Sequence, residues 1–167
     1  AADGGYISPT HYPVQAMATL TTHDLPTLIG FWHCEDLRLG KELGLYQDQA
    51  QLQGLYAQRH ANKQRILDSL HGHQSLPGDY SRSAENLGMD QTLNYAMQRH
   101  LAATSSQLLC LQLEDALQMT QPVNIPGTSN EYPNWRRKLS EPIEQWSQNH
   151  DIRQLFSQIS KQRKAIH

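Results

Sequence analysis

Two polar sequences, each following an apolar run, contain the side chains of this chain best suited to chemistry. His23 and Asp24 follow the run 15–22, and the loop 123–128, which contains Asn124, follows the run 107–113. In parallel α/β proteins the functional residues lie at the carboxyl ends of strands and in the loops after them. There a carboxylate can stabilise developing positive charge, and an imidazole can hydrogen-bond a hydroxyl group. The pattern therefore predicts a site for a polar substrate.

Asp24 also has a purely structural interpretation. It lies two residues before Pro26, and proline is favoured in the first turn of a helix because its missing N–H is not needed there. An aspartate just before such a turn is a common helix N-cap. The local pattern leaves both interpretations open, and it favours the cap.

The elements that must position these side chains follow from apolar periodicity and from the turn residues. The runs 15–22 and 107–113 are predicted strands. Helices are predicted over 26–43, over 47–70 and over 90–103, and again from about 140 and from Asp151 onward. The segments 71–89 and 122–133 are rich in Gly, Pro, Ser and Asn and are predicted to be loops.

Two strands separated by a long helical stretch cannot form a sheet with its own core. The chain is therefore predicted to be an α/β piece, the end of a larger parallel array, and mainly helical when isolated. The alternative is a helical bundle in which both apolar runs are helix or loop. Four segments are expected: an N-terminal loop and strand (1–24), a helical region with a loop at 71–89 (25–103), a strand and Pro-Gly loop (104–128), and C-terminal helices (129–167).

Composition excludes several function classes. The 14 Lys and Arg residues against 16 Asp and Glu residues give a net charge of −2, so a strongly basic nucleic-acid surface is not expected. No apolar run is long enough for a membrane span, and the N-terminus does not resemble a signal peptide. The two cysteines, Cys34 and Cys110, have no recognisable spacing. They are predicted to be packing thiols, and a reducing compartment is expected.

Weaker signals have structural explanations. His71 and His73 have the spacing of a two-histidine metal site, but without a clear third ligand a solvated loop is the better interpretation, and no metal is predicted. Trp32 and Trp146 fall on apolar helix faces and are predicted to be core. Trp135 follows the Pro-Gly loop and is the tryptophan that could stack on a sugar.

Several motifs resemble the bacterial amylomaltases, which are cytoplasmic 4-α-glucanotransferases. They are TTHDLPTL at 21–28 followed by GFW at 30–32, LGL at 43–45, QPVNIPGT at 121–128 and NWRRKL at 134–139. They occur in the family's order and at similar separations, and the resemblance covers nearly the whole chain.

The resemblance implies that the chain is the C-terminal part of a (β/α)8 barrel enzyme and supplies about strands seven and eight. The nucleophilic Asp and the acid/base Glu of the family would then lie upstream. Asp24 matches the family carboxylate that stabilises the oxocarbenium-like transition state, and His23 matches the histidine that hydrogen-bonds hydroxyls of the same sugar. Asn124 and Trp135 are expected to bind substrate.

The implied reaction is a retaining transfer of α-1,4-glucan segments between maltodextrins, in which a glucan hydroxyl replaces water as the acceptor. It needs neither a metal nor an organic cofactor. The chain alone is expected to be inactive, because it would lack the nucleophile and the acid/base. Its exposed apolar faces are expected to favour self-association. The alternative function is a helical module, without catalytic activity, that binds a partner protein.

Overall fold

Two short strands that are far apart in the sequence pair in parallel. β1 (Met17–Thr19) and β2 (Leu108–Cys110) pair with Met17 opposite Leu108 and Thr19 opposite Cys110. The computed structural model describes residues 5–46 and 48–166, and within these ranges the two strands form one sheet. A parallel pair needs a long crossover connection, and here that crossover is helical. Each of the two apolar runs that were predicted to be strands therefore contains a strand, which covers only three residues of the run.

The crossover and the C-terminal part consist of helices with the following bounds. The crossover contains α1 (Leu28–Trp32), α2 (Glu35–Glu42), α3 (Gln49–Gly72) and α4 (Gln91–Ala102). After β2 follow α5 (Leu113–Ala116), α6 (Ile143–Trp146) and α7 (His150–Ile166). In the described ranges, the structure has no helix that is both long enough and apolar enough to cross a membrane.

The single helix predicted over 26–43 is wrong, because the chain breaks it into α1 and α2. Cys34 between them has φ = 60°, which is left-handed and cannot continue a right-handed helix. The Cys34 side chain is buried and packs in a cluster with Leu37 and Leu52. After the break, the Arg59 guanidinium of α3 donates to both carboxylate oxygens of Asp36 in α2, at 2.8 and 2.7 Å. Packing from α3 therefore overrides the continuous helical periodicity.

The main apolar core lies between α1, α3 and α4. Its fully buried members include Trp32, Leu67 and Leu93. The Trp32 indole N–H donates to the carbonyl of Leu87 at 2.7 Å, which fastens the loop after α3 to α1. The prediction of Trp32 as core is confirmed, whereas Trp146 is only partly buried.

The other weak signals resolve into ordinary packing and hydrogen bonding. Helix α3 extends to Gly72, so the loop predicted at 71–89 begins two residues later. His71 Nε2 lies 2.9 Å from the carbonyl oxygen of Ser81, and the His73 ring packs edge-on against His100. Cys34 and Cys110 are both free thiols; Cys34 is buried, as predicted for a packing thiol, whereas Cys110 is only partly buried.

Candidate functional site

His23 and Asp24 are the central residues of a tight turn just beyond β1. The Leu25 N–H donates to the carbonyl of Thr22 at 3.0 Å, which closes the turn. Both side chains are about half exposed, at 54% for His23 and 50% for Asp24. His23 Nε2 lies 3.3 Å from Asp24 Oδ2. The turn therefore presents a carboxylate and an imidazole side by side toward solvent.

The helix-cap interpretation of Asp24 is wrong. Thr27 is the N-cap of α1, and its hydroxyl oxygen accepts a hydrogen bond from the Gly30 N–H at 3.0 Å. The Leu28 N–H donates instead to Asp115 Oδ1 at 2.7 Å. Because other residues cap α1, the Asp24 carboxylate remains available for the site.

The second loop is shaped by a proline–glycine turn. The Thr128 N–H donates to the carbonyl of Ile125 at 3.2 Å, and Gly127 has φ = 85°. Proline and then a positive-φ glycine at the two central positions are typical of a type II turn. The Asn134 side chain fastens this turn from within the loop: its oxygen accepts from the Ile125 N–H at 2.9 Å, and its nitrogen donates to Thr128 Oγ1 at 2.8 Å.

The two loops meet through Asn124. Its side-chain nitrogen donates to Asp24 Oδ1 at 2.6 Å, and its backbone N–H donates to the carbonyl of His23 at 3.2 Å. Backbone and side chain thus hold the His23–Asp24 turn together from a position 100 residues further along the chain. The direction of the carboxylate is therefore fixed by Asn124.

Trp135 completes the cluster in an unusual backbone conformation. Its φ is 61°, which is uncommon for a bulky residue and costs about 1–2 kcal/mol. Its N–H donates to the carbonyl of Val123 at 3.1 Å. The residue is 62% exposed, and the centroid of its ring lies 4.9 Å from that of the His23 ring. The conformation holds an aromatic face at the edge of the polar cluster.

The four residues predicted as the site, His23, Asp24, Asn124 and Trp135, are therefore brought together. We call them the loop cluster. A carboxylate, an imidazole, an amide and an exposed indole can bind a ligand that has hydroxyl groups on one side and an apolar face on the other. The catalytic and substrate-binding roles of these residues remain predictions.

Sequence reasoning assigned no role to three residues that hold the two loops in place: Thr21, Asp115 and Asn134. Asp115 is 3% exposed and accepts hydrogen bonds from the Thr21 hydroxyl and the Leu28 N–H. Burial raises the pKa of Asp115 to about 6, although both hydrogen bonds act in the opposite direction. An acidic residue directly after an apolar strand was the signal, but its partners depend on tertiary structure.

Fold and site together define an α/β protein whose exposed polar and aromatic cluster lies beyond the carboxyl ends of parallel strands. Comparison with known proteins makes this more specific. The family model described as 4-alpha-glucanotransferase matches residues 1–144. The 4-alpha-glucanotransferase of Haemophilus influenzae is 39% identical over 161 residues, which are 96% of this chain and 23% of that protein. The 4-alpha-glucanotransferase of Mycobacterium bovis is 34% identical over 128 residues, 75% of this chain and 16% of that protein.

A solved structure agrees with the sequence comparisons. The crystal structure of amylomaltase from Corynebacterium glutamicum superposes with a TM-score of 0.78 at 27% identity, over 95% of this chain and 23% of that one. The chain belongs to the 4-alpha-glucanotransferase family. It spans about a quarter of the length of the H. influenzae relative. The family membership favours the transferase hypothesis over the helical interaction module.

Proposed function

We propose that the protein containing this chain is a 4-α-glucanotransferase that moves α-1,4-glucan segments between maltodextrins in the cytoplasm. The observation that carries the proposal is the family match over 1–144, which includes both loops of the loop cluster. The contact of Asn124 with Asp24 at 2.6 Å supports it, because this contact joins the two motifs into one site.

In the proposed mechanism Asp24 stabilises the positive charge that develops on the sugar as the glycosidic bond breaks. His23 hydrogen-bonds hydroxyl groups of the same sugar, since its ring nitrogens can donate or accept. Asn124 holds the carboxylate in place by donating to Asp24 Oδ1. The exposed face of Trp135 packs against the apolar face of a glucose unit.

Retaining transfer needs two further carboxyl groups, a nucleophile and an acid/base, about 5–5.5 Å apart. The loop cluster contributes a single carboxylate, Asp24. We infer that the nucleophile and the acid/base come from an upstream part of the barrel, and that β1 and β2 are its seventh and eighth strands. No metal or organic cofactor is required by this chemistry.

The chain in isolation is therefore expected to be inactive and to self-associate. Met17 is 60% exposed and Leu108 62% exposed, and the two are paired across the strands. Neighbouring strands and helices of a complete barrel would cover such exposed apolar side chains. Without them the unpaired strand edges favour association between copies.

The test is incubation of the intact enzyme with maltotriose, with the products separated by chromatography. Glucose together with maltodextrins longer than maltotriose is expected, because a glucan acceptor takes the place of water. Unchanged maltotriose, or glucose with no longer products, would contradict the proposal. The purified 167-residue chain serves as the comparison and is expected to release no glucose.

A further inference from the structure

Asp115 is a buried carboxyl group with both oxygens engaged. It lies in α5, just after β2, and is 3% exposed. Oδ2 accepts a hydrogen bond from the hydroxyl of Thr21, which is itself buried. Oδ1 accepts one from the backbone N–H of Leu28 at 2.7 Å. The carboxyl group therefore hydrogen-bonds to the chain on both sides of His23 and Asp24.

The two residues that donate hydrogen bonds to Asp115 lie on either side of the His23–Asp24 turn. Thr21 lies directly before the turn that carries His23 and Asp24, and Leu28 begins the helix after it. One rigid carboxylate thus fixes the spacing between the two ends of segment 21–28. Moving either end would break a hydrogen bond to a buried ionisable group, which costs more than losing an exposed one.

A second tether ties the same segment to the chain just after α5. The Thr27 hydroxyl donates to the carbonyl oxygen of Thr120 at 3.2 Å. Gly30 packs so closely there that a β-carbon added to it would lie 2.6 Å from that same oxygen. The chain then runs from Thr120 to Asn124, whose side chain holds Asp24. The base of the turn and its tip are therefore both held by the segment 113–124.

Apolar packing alone does not explain why a carboxyl group occupies this buried position. Burial raises its pKa to about 6, and the nearby Glu114 acts in the same direction. A buried carboxyl group is costly unless it is fully hydrogen-bonded. A carboxylate suits this position because its two oxygens accept hydrogen bonds from the Thr21 hydroxyl and the Leu28 N–H at the same time.

We propose that Asp115 is a positioning residue for glucan transfer, which sets the geometry of the His23–Asp24 turn by gripping Thr21 and Leu28. This inference rests on the proposed function. The effect reaches the reaction through the turn, so Asp115 is not a catalytic residue. A small displacement of Asp24 weakens its interaction with the transition state more than its contact with bound substrate.

The experiment measures kcat and KM for maltotriose in the intact enzyme, at a temperature where every variant is folded. Asp115→Ala is expected to lower kcat by about tenfold or more with little change in KM, because transition-state geometry is lost. Asp115→Asn is expected to restore kcat to within about threefold of the wild type. The asparagine oxygen can accept from the Leu28 N–H, and its amide can donate to the Thr21 oxygen.

Asp90 provides a matched control. It also accepts one hydroxyl, from Tyr80 at 2.9 Å, and one backbone N–H, from Leu93 at 2.8 Å, but it caps α4. Asp90→Ala is therefore expected to lower stability while leaving kcat within about twofold of the wild type. Should Asp115→Ala not fold, Thr21→Val removes only the hydroxyl donor and is expected to lower kcat about threefold to tenfold.

Three results would overturn the inference alone: an active wild type whose kcat is unaffected by Asp115→Ala, an Asp115→Asn variant as impaired as Asp115→Ala, or an Asp90→Ala variant with the same loss of kcat. In the Thr21→Val arm, an unchanged kcat has the same meaning. A wild type that leaves maltotriose unchanged would instead overturn the proposed function, and this inference with it.

Discussion

Replacing Asp24 with asparagine removes the charge of the loop cluster with little change of shape. Asparagine can keep its Oδ1 in the position that accepts from Asn124, now 2.6 Å away. The side chain is 50% exposed, so neither oxygen is a buried group that would be left without a partner. The free energy of unfolding is expected to change by less than about 1 kcal/mol. A change in activity would then report on the charge.

The expected loss of activity follows from electrostatics. A unit positive charge about 4 Å from a carboxylate gains about 4 kcal/mol at an effective dielectric constant of about 20. The half-exposed position of Asp24 and the partial charge of the sugar reduce this gain to about 3 kcal/mol. Since about 1.4 kcal/mol corresponds to a factor of ten, kcat should fall by about 100-fold.

The assay is the initial rate of glucose release from maltotriose by the intact enzyme, coupled to a glucose-specific readout. Asp79→Asn makes the same chemical change at an exposed carboxylate in the loop between α3 and α4, and is expected to leave the rate unchanged. A folded Asp24→Asn enzyme with a rate within about threefold of the wild type would refute the electrostatic role. Asp24 would then have only a structural function.

Trp135→Ala should raise KM for maltodextrins about threefold to tenfold, because the stacking surface is lost. Trp135→Phe keeps an aromatic ring and should retain most of the affinity. Equal KM values for both variants and the wild type would contradict stacking. The pKa of Asp115 is raised from 3.8 to about 6, so the folded state binds more protons than the unfolded state between these two pH values. The protonated carboxyl group therefore stabilises the folded state at low pH, and this stabilisation is lost as pH rises through about 6. The stability of the wild type relative to Asp115→Asn, measured by urea unfolding, should fall by about 2 kcal/mol from pH 4 to pH 7. A constant or rising difference would show that the pKa of this carboxyl group is not raised.

Short-range sequence patterns determined much of this protein. The segment 122–133, which contains Pro126 and Gly127, was predicted to be a loop, and φ = 85° at Gly127 fits the turn found there. The predicted start of a helix at Asp90 is confirmed, because its side chain accepts from the Leu93 N–H. The resemblance to the family was also contained in short motifs, whose members are close together along the chain.

Tertiary structure decided what the local pattern left open. The sequence around Asp24 and Thr27 favoured the wrong helix cap, because both residue types cap helices well and neighbouring residues alone do not distinguish them. In the structure Thr27 caps α1, and Asn124, which lies 100 residues from Asp24, engages the Asp24 carboxylate. That contact exists because parallel pairing of β1 and β2 brings the two following loops to the same edge. The sequence therefore determined which side chains are suited to the site, and strand pairing determined that they meet.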